Sequence, residues 1–273
     1  LPRDALLRRR SAGGDREQAL VANVDLVLIV CGLDRPVRLG RIQRTMTLAN
    51  DAGAESLVVL TKADLVGPEV PEEAIRTVAD VDADLTAVVL SARGGWGIDD
   101  LLDHIGHRTV ALIGESGAGK STLVNALVDE TVAVEGEVRD GYRKGRHTTT
   151  SRQLHLLEGG GILVDTPGIR EVGIFADASA VAETFSDIDA LAEECRFRDC
   201  VHRTEPGCAV RAAVDAGDLD AERVDRWRAL EAEVEATERR GPPGSRRSNR
   251  GIGRAGRAAA QERRGRDDDD RTT

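Results

Sequence analysis

Apolar residues are spaced in two rhythms along this chain. Val24 to Val30 and Ser56 to Leu60 are nearly unbroken apolar runs, the pattern of parallel strands covered on both faces. Arg38 to Asn50 places its apolar residues at helical spacing, and Glu72 to Asp80 and Ile98 to Ile105 read as further helices. Leu85 to Leu90 and Val110 to Ile113 add two strands, Lys120 to Leu127 opens another helix, and Gln153 to Leu157 with Gly161 to Val164 forms a hairpin. Strands alternating with helices predict an α/β domain with a mostly parallel sheet. After Phe175 the pattern turns helical around a cysteine cluster. From Arg239 onward Gly, Arg, Pro and Ser dominate without apolar period, which predicts a disordered tail.

Composition narrows this picture. The 273 residues allow one medium domain and a smaller one, and with only six aromatic residues the core must be filled by aliphatic side chains. No apolar run reaches the length of a membrane span and no signal-peptide pattern opens the chain, so a soluble cytoplasmic protein is expected, without a membrane partner and as a monomer. The chain begins at Leu1 and its single methionine is Met46, which reads as a fragment or processed form. The net charge of -10 hides an asymmetry: residues 239 to 273 hold eleven Arg against five acids, leaving the remainder at -16. Basic residues elsewhere gather at Arg3 to Arg10 and Arg139 to Arg152. A body this acidic is no general nucleic-acid binder, which needs clustered Lys and Arg.

Candidate chemistry lies at the ends of the strands. Gly114-Glu115-Ser116-Gly117-Ala118-Gly119-Lys120-Ser121, followed by Thr122, has the spacing of a P-loop. Its glycines let backbone N–H groups converge on phosphates, Lys120 would reach the β- and γ-phosphates, and Ser121 would offer an oxygen to Mg2+. Asp165 ends the second hairpin strand and would hold the same ion through water, while the Gly168 N–H can report on the γ-phosphate. Thr61-Lys62-Ala63-Asp64 and Ser91-Ala92 supply base recognition. The Asp64 carboxylate can accept from the N1–H and exocyclic amine of guanine, a donor pair that adenine lacks. Lys62 can lay its stem over the ring, and the Ala92 N–H can meet the guanine oxygen. Thr61 stands where most GTPases have Asn, and a hydroxyl offers less bracing than an amide. These base-reading motifs precede the P-loop, the reverse of the ordinary GTPase order.

Gly145 to Thr150, Gly-Arg-His-Thr-Thr-Thr, falls where a segment closing over the γ-phosphate belongs. Thr149 is the candidate to complete the Mg2+ shell. Ile169 occupies the place of the water-orienting glutamine of many GTPases, so His147 is the nearest replacement for that role. Farther on, Cys195, Cys200, His202 and Cys208 bring three thiols and an imidazole within fourteen residues. That donor set suits one closed, structural zinc site. Cys31, on a predicted buried strand, is read as a core residue.

The permuted motif order, the Gly-Arg-His-Thr-Thr-Thr stretch and the run from Cys195 to Val210 together resemble the RsgA (YjeQ) family of small ribosomal subunit biogenesis GTPases. The resemblance extends from about Val21 to Glu235. It implies a circularly permuted GTPase domain over residues 21–175, a helical zinc-binding domain over 176–238 and a basic tail over 239–273. Residues 1–20 would be the remnant and linker of an N-terminal OB-fold, whose last strand is Leu1 to Arg10. It further implies GTP and GDP as ligands, Mg2+ and one Zn2+ as cofactors, and the small ribosomal subunit and its rRNA as partners. Hydrolysis would be stimulated by that subunit late in its maturation and followed by release. Two other readings remain at this point: a nucleotide-gated module that does not hydrolyse GTP, suggested by Ile169, and a permuted GTPase of the large subunit, which would not share the cysteine cluster.

Overall fold

The computed structural model describes residues 5–10, 17–128, 153–165 and 176–240. Six strands build the main sheet: β3 (Leu26–Gly32), β4 (Glu55–Thr61), β5 (Ala87–Val89), β6 (Thr109–Gly114), β7 (Gln153–Leu156) and β8 (Ile162–Asp165). Their order is β5-β4-β3-β6-β8-β7, parallel throughout except for the antiparallel β7 at one edge. Every residue of β3 except Cys31 is buried, which is why its sequence shows no polar alternation.

Alternation still sorts the sheet's two faces. Val27, Ile29, Val58, Leu60, Ala111 and Ile113 join the core beneath α1 (Leu39–Asp51) and α2 (Glu69–Ala79). Leu28, Val30, Leu57, Val59, Val110 and Leu112 face α3 (Ile98–Ile105) and α4 (Lys120–Val128). From β3 the chain winds outward through β4 and β5, then returns to place β6 on the other side of β3. The direction of winding therefore reverses between β3 and β6. In such sheets the crevice at the carboxyl ends of the two strands at the reversal is where ligands bind.

An antiparallel hairpin, β1 (Leu6–Arg10) with β2 (Glu17–Ala22), leans on α1. Leu7 and Leu20 enter the same core cluster as the sheet. Strand β2 is absent from the sequence expectation because only Leu20 and Val21 mark it. The expected helix from Glu72 begins earlier, at Glu69, since Pro71 lies in the first turn, where its missing N–H costs no intrahelical bond.

Four helices make a second core: α5 (Ala178–Thr184), α6 (Ser186–Glu193), α7 (Ala209–Ala216) and α8 (Ala221–Arg240). Phe185, Ile188, Val210, Trp227, Leu230 and Val234 fill it, with Cys208 at its margin. This core is docked on α1. Thr47 and Asn50 both hydrogen-bond the Thr184 hydroxyl, at 3.0 and 3.1 Å, Arg226 donates to Gln43 at 2.9 Å, and Arg44 pairs with Glu233 at 2.9 Å. Helix α1 is thus shared between the sheet and the helical module.

Candidate nucleotide site and metal centre

The loop from Gly114 to Gly119 leaves β6 at the reversal point and enters α4. A Cβ at Gly114 would lie 2.4 Å from the Val30 carbonyl oxygen, so only glycine lets β6 approach β3 this closely at the loop's start. Gly119 has φ +88°, the left-handed geometry that turns the chain into the helix. Ser116 and Gly117 are exposed at the mouth, while Ala118 is buried beneath. The Lys120 ammonium donates to the carbonyls of Gly114 and Glu115 at 2.6 and 2.5 Å, holding its charge over the loop. Ser121 and Thr122 follow in the first turn of α4.

The base-reading residues meet this loop. Thr61 ends β4, is buried, and its hydroxyl donates to the Ala118 carbonyl at 2.6 Å. The hydroxyl therefore braces the loop directly. Lys62 takes the left-handed conformation at φ 63° and Asp64 sits in the single 3-10 turn that follows. The fully buried Ser91 donates its hydroxyl to Asp64 at 2.6 Å and accepts the Gly94 N–H at 2.9 Å. That pair aligns the Asp64 carboxylate with the turn that holds Ala92. Lys62 reaches back to Asp34 at 2.8 Å. Burial alone would raise the Asp34 carboxyl, but hydrogen bonds and charge from Lys62 and Arg35 hold it below the usual carboxylate range.

Residues not singled out by sequence surround the loop with arginine. Arg41 pairs with Glu115 at 2.6 Å, Arg35 at 3.5 Å and Arg38 at 4.0 Å. Their spacing of three, leading into the first turn of α1, is visible in the sequence. The partner lies some eighty positions away and is not.

Asp165 closes β8, with its backbone paired opposite Gln153, and so lies on the same sheet edge as the P-loop. His147, Thr149 and Gly168 lie outside the described residues, as do the expected switch stretch 145–150 and residues 241–273 of the tail expected to be disordered from Arg239; Arg239 and Arg240 instead continue α8 to its end.

Cys195, Cys200, His202 and Cys208 converge, with all four ligand atoms within 4.8 Å of one another. The His202 Nδ1 lies 3.4 and 3.5 Å from the sulfurs of Cys195 and Cys208, which are themselves 3.9 Å apart. A tetrahedral ion at about 2.3 Å from sulfur and about 2.0 Å from nitrogen sets its ligands about 3.5–3.8 Å apart, so the group fits zinc. Two backbone N–H groups also point at sulfur, Ala209 at Cys195 and Arg211 at Cys208, each at 3.4 Å, as thiolates require. Burial, with the Arg228 charge adding to it, pushes the His202 imidazole below its ordinary pKa and favours the neutral form that binds metal. Glu205 ties the loop by accepting the N–H groups of Val201, Arg203 and Thr204. Arg228 of α8 donates to the His202 carbonyl and fastens the loop to the helical core. Cys31, expected in the core, is only partly buried and packs against the sheet core.

Comparison with known proteins agrees with this geometry. The family model for the RsgA GTPase matches residues 1–175. The chain is 42% identical to the small ribosomal subunit biogenesis GTPase RsgA of Streptomyces coelicolor, over 96% of this chain and 73% of that protein. It is 41% identical to the protein of the same description from Xanthomonas euvesicatoria, over 97% and 74%. Among solved structures, YjeQ from Thermotoga maritima superposes with a TM-score of 0.63 at 28% identity, covering 86% of this chain and 77% of that one. YloQ, described as a circularly permuted GTPase, superposes at 0.59 and 24% identity, over 81% and 71%, a likeness of fold.

Proposed function

This chain belongs to the RsgA GTPase family and is a circularly permuted GTPase, and from that premise we propose that it acts in late maturation of the small ribosomal subunit. It hydrolyses GTP when docked on that subunit and its rRNA, and then leaves. The observation that carries the nucleotide reading is the contact between Thr61 and Ala118, which joins the base-reading strand to the phosphate loop in one rigid crevice. Residues 21–175 form the GTPase unit and 176–238 the zinc module.

In this reading the backbone from Gly114 to Gly119 cradles the phosphates and Lys120 turns from the loop carbonyls to the β- and γ-phosphates. Lys62 covers the base, and Asp64, aligned by Ser91, accepts from guanine while Ala92 donates to its oxygen. Ser121, Thr149 and Asp165 are hard oxygen donors suited to Mg2+, which neutralises phosphate charge when bound. His147 orients the attacking water when the chain is docked on the subunit, since Ile169 cannot. Cys195, Cys200, His202 and Cys208 would hold one structural zinc, which would keep their loop rigid. The protein works in the cytoplasm; no helix among the described residues is long and apolar enough to cross a membrane.

Helix α1 offers a route between nucleotide and module. It presents Arg41 to Glu115 in the P-loop and Gln43, Arg44, Thr47 and Asn50 to α5 and α8. A change at the γ-phosphate that moves Glu115 would bias the docking of the module. The test is co-sedimentation of the full chain with separated small and large subunits in the presence of a non-hydrolysable GTP analogue or GDP. Retention on small subunits with the analogue alone supports the reading, and retention on large subunits only would replace it.

A further inference from the structure

Arg35 follows β3 by three residues and lies over the mouth of the P-loop. Its guanidinium donates to the Ser116 carbonyl at 3.4 Å and to the Glu115 carboxylate at 3.5 Å. The same guanidinium would be 3.3 Å from a Cβ at Gly117, so it rests directly on the exposed stretch of the loop, where glycine leaves it room. Asp34 holds it from the other side at 3.2 Å, and that carboxylate also takes the Lys62 ammonium at 2.8 Å. One carboxylate therefore sets two cations along the crevice, Lys62 on the side of the base and Arg35 on the side of the phosphates. Arg35 keeps 40% of its side-chain surface exposed, so it is anchored without being covered.

We propose that Arg35 is a catalytic arginine supplied in cis, whose guanidinium contacts the phosphate oxygens of GTP at Ser116 and Gly117 and stabilises the charge that builds there during hydrolysis. The proposal rests on the GTP-hydrolysing reading above. In the reaction, water oxygen forms a new bond to the γ-phosphorus, the bond from that phosphorus to the β–γ bridging oxygen breaks, and its electron pair stays on GDP. The proton lost by water passes to solvent or phosphate. Negative charge accumulates on the bridging oxygen and the transferring group, and a planar fork of N–H donors at the loop mouth is suited to both. Ion pairing to Asp34 and Glu115 places this fork before substrate arrives. A polyphosphate, carrying more charge than either carboxylate, can then draw it a short way inward. The sequence assigns His147 to the water and Lys120 to the β- and γ-phosphates, whereas Arg35 reaches the loop from the side of β3.

Single-turnover GTP hydrolysis by the full chain, alone and with small ribosomal subunits, tests this together with equilibrium GDP and GTP binding. Arg35→Ala should slow the chemical step at least about tenfold while changing GDP affinity less than about threefold. Arg35→Lys, which keeps the charge without the fork, should fall between wild type and Arg35→Ala. Equal loss of GDP and GTP affinity with an unchanged chemical step would show that Arg35 only braces the loop through Glu115 and Ser116, and would overturn the proposal. Unimpaired hydrolysis by Arg35→Ala in a turning-over wild type would overturn it as well. A wild-type chain that releases no phosphate in either condition would instead remove the hydrolytic reading, and the proposal with it.

Discussion

The Thr61 hydroxyl at the end of β4 and the Ala118 carbonyl in the loop after β6, 57 positions apart, are hydrogen-bonded at 2.6 Å inside the crevice. Since Thr61 is buried, Thr61→Val would leave the Ala118 carbonyl desolvated without a donor, at a cost of about 1–2 kcal/mol. Guanine-nucleotide affinity should fall by about tenfold, which is the same free energy read at the loop. Thr61→Ser, which keeps the hydroxyl, should bind within a few-fold of wild type. Titration with a fluorescent GDP analogue checks both, and equal affinities in all three proteins would mean that the contact does not shape the loop.

Asp51, at the end of α1, is the joint of three parts. It accepts two nitrogens of Arg8 from β1 at 2.6–3.0 Å and the backbone N–H of Asp177 ahead of α5 at 3.0 Å. Burial raises its carboxyl above the ordinary range although Arg8 opposes the shift. Asp51→Ala removes the carboxylate that joins the Arg8 guanidinium to the Asp177 N–H, so stability to chemical denaturant should fall by about 2 kcal/mol. A loss below 1 kcal/mol would show the pair to be no stronger than a surface contact.

Metal analysis of the purified chain should find one zinc, and Cys208→Ser should lose it. The substitution removes a thiolate ligand and also the sulfur that accepts the Arg211 N–H at the start of α7. Because Cys208 borders the core of Phe185, Trp227 and Leu230, thermal unfolding of the helical module should shift downward with metal loss. A zinc-free wild type with an unchanged melting curve would reduce the cluster to packed thiols.

Glu205 carries a pH signature in the same loop. Its carboxyl is lowered to about 2, chiefly by backbone N–H donors, including its own and those of Arg203, Thr204 and Val201. A depressed carboxyl stabilises the fold fully above its unfolded value of 4.5, and that contribution is lost as pH falls from there toward 2. Carboxyl carbon shifts followed by NMR should titrate near the lower figure, and Glu205→Gln should lower the melting temperature at pH 7. An ordinary midpoint near 4.5 would mean that the loop does not hold the carboxylate.

Much of this architecture can be read from sequence, for a physical reason. Strands β3, β4 and β6 are covered on both faces and so appear as unbroken apolar runs ending at the motifs they deliver. The zinc ligands are readable because their chemistry is confined to one loop. What escapes is whatever depends on the sheet bringing distant positions together. Glu115 appears in the sequence only as a filler between the P-loop glycines, yet it gathers Arg35, Arg38 and Arg41 because β3 and β6 are neighbours. Asp51 reads as the polar end of a helix, and nothing near it announces Arg8 or Asp177. Strand β2 escapes because four of its six residues are polar or small and its partner β1 is arginine-rich.

The central claim is a GTPase whose chemistry is switched on by the small ribosomal subunit, and phosphate release in a single turnover measures it most directly. With GTP loaded on the full chain, purified small subunits should raise the rate at least about tenfold over the chain alone, whereas large subunits should leave it unchanged. His147→Ala should keep nucleotide and subunit binding but lose most of that stimulation, since a water-positioning contact is worth about 10²–10⁴-fold. The same slow rate with and without small subunits, or stimulation by large subunits in their place, would contradict the account.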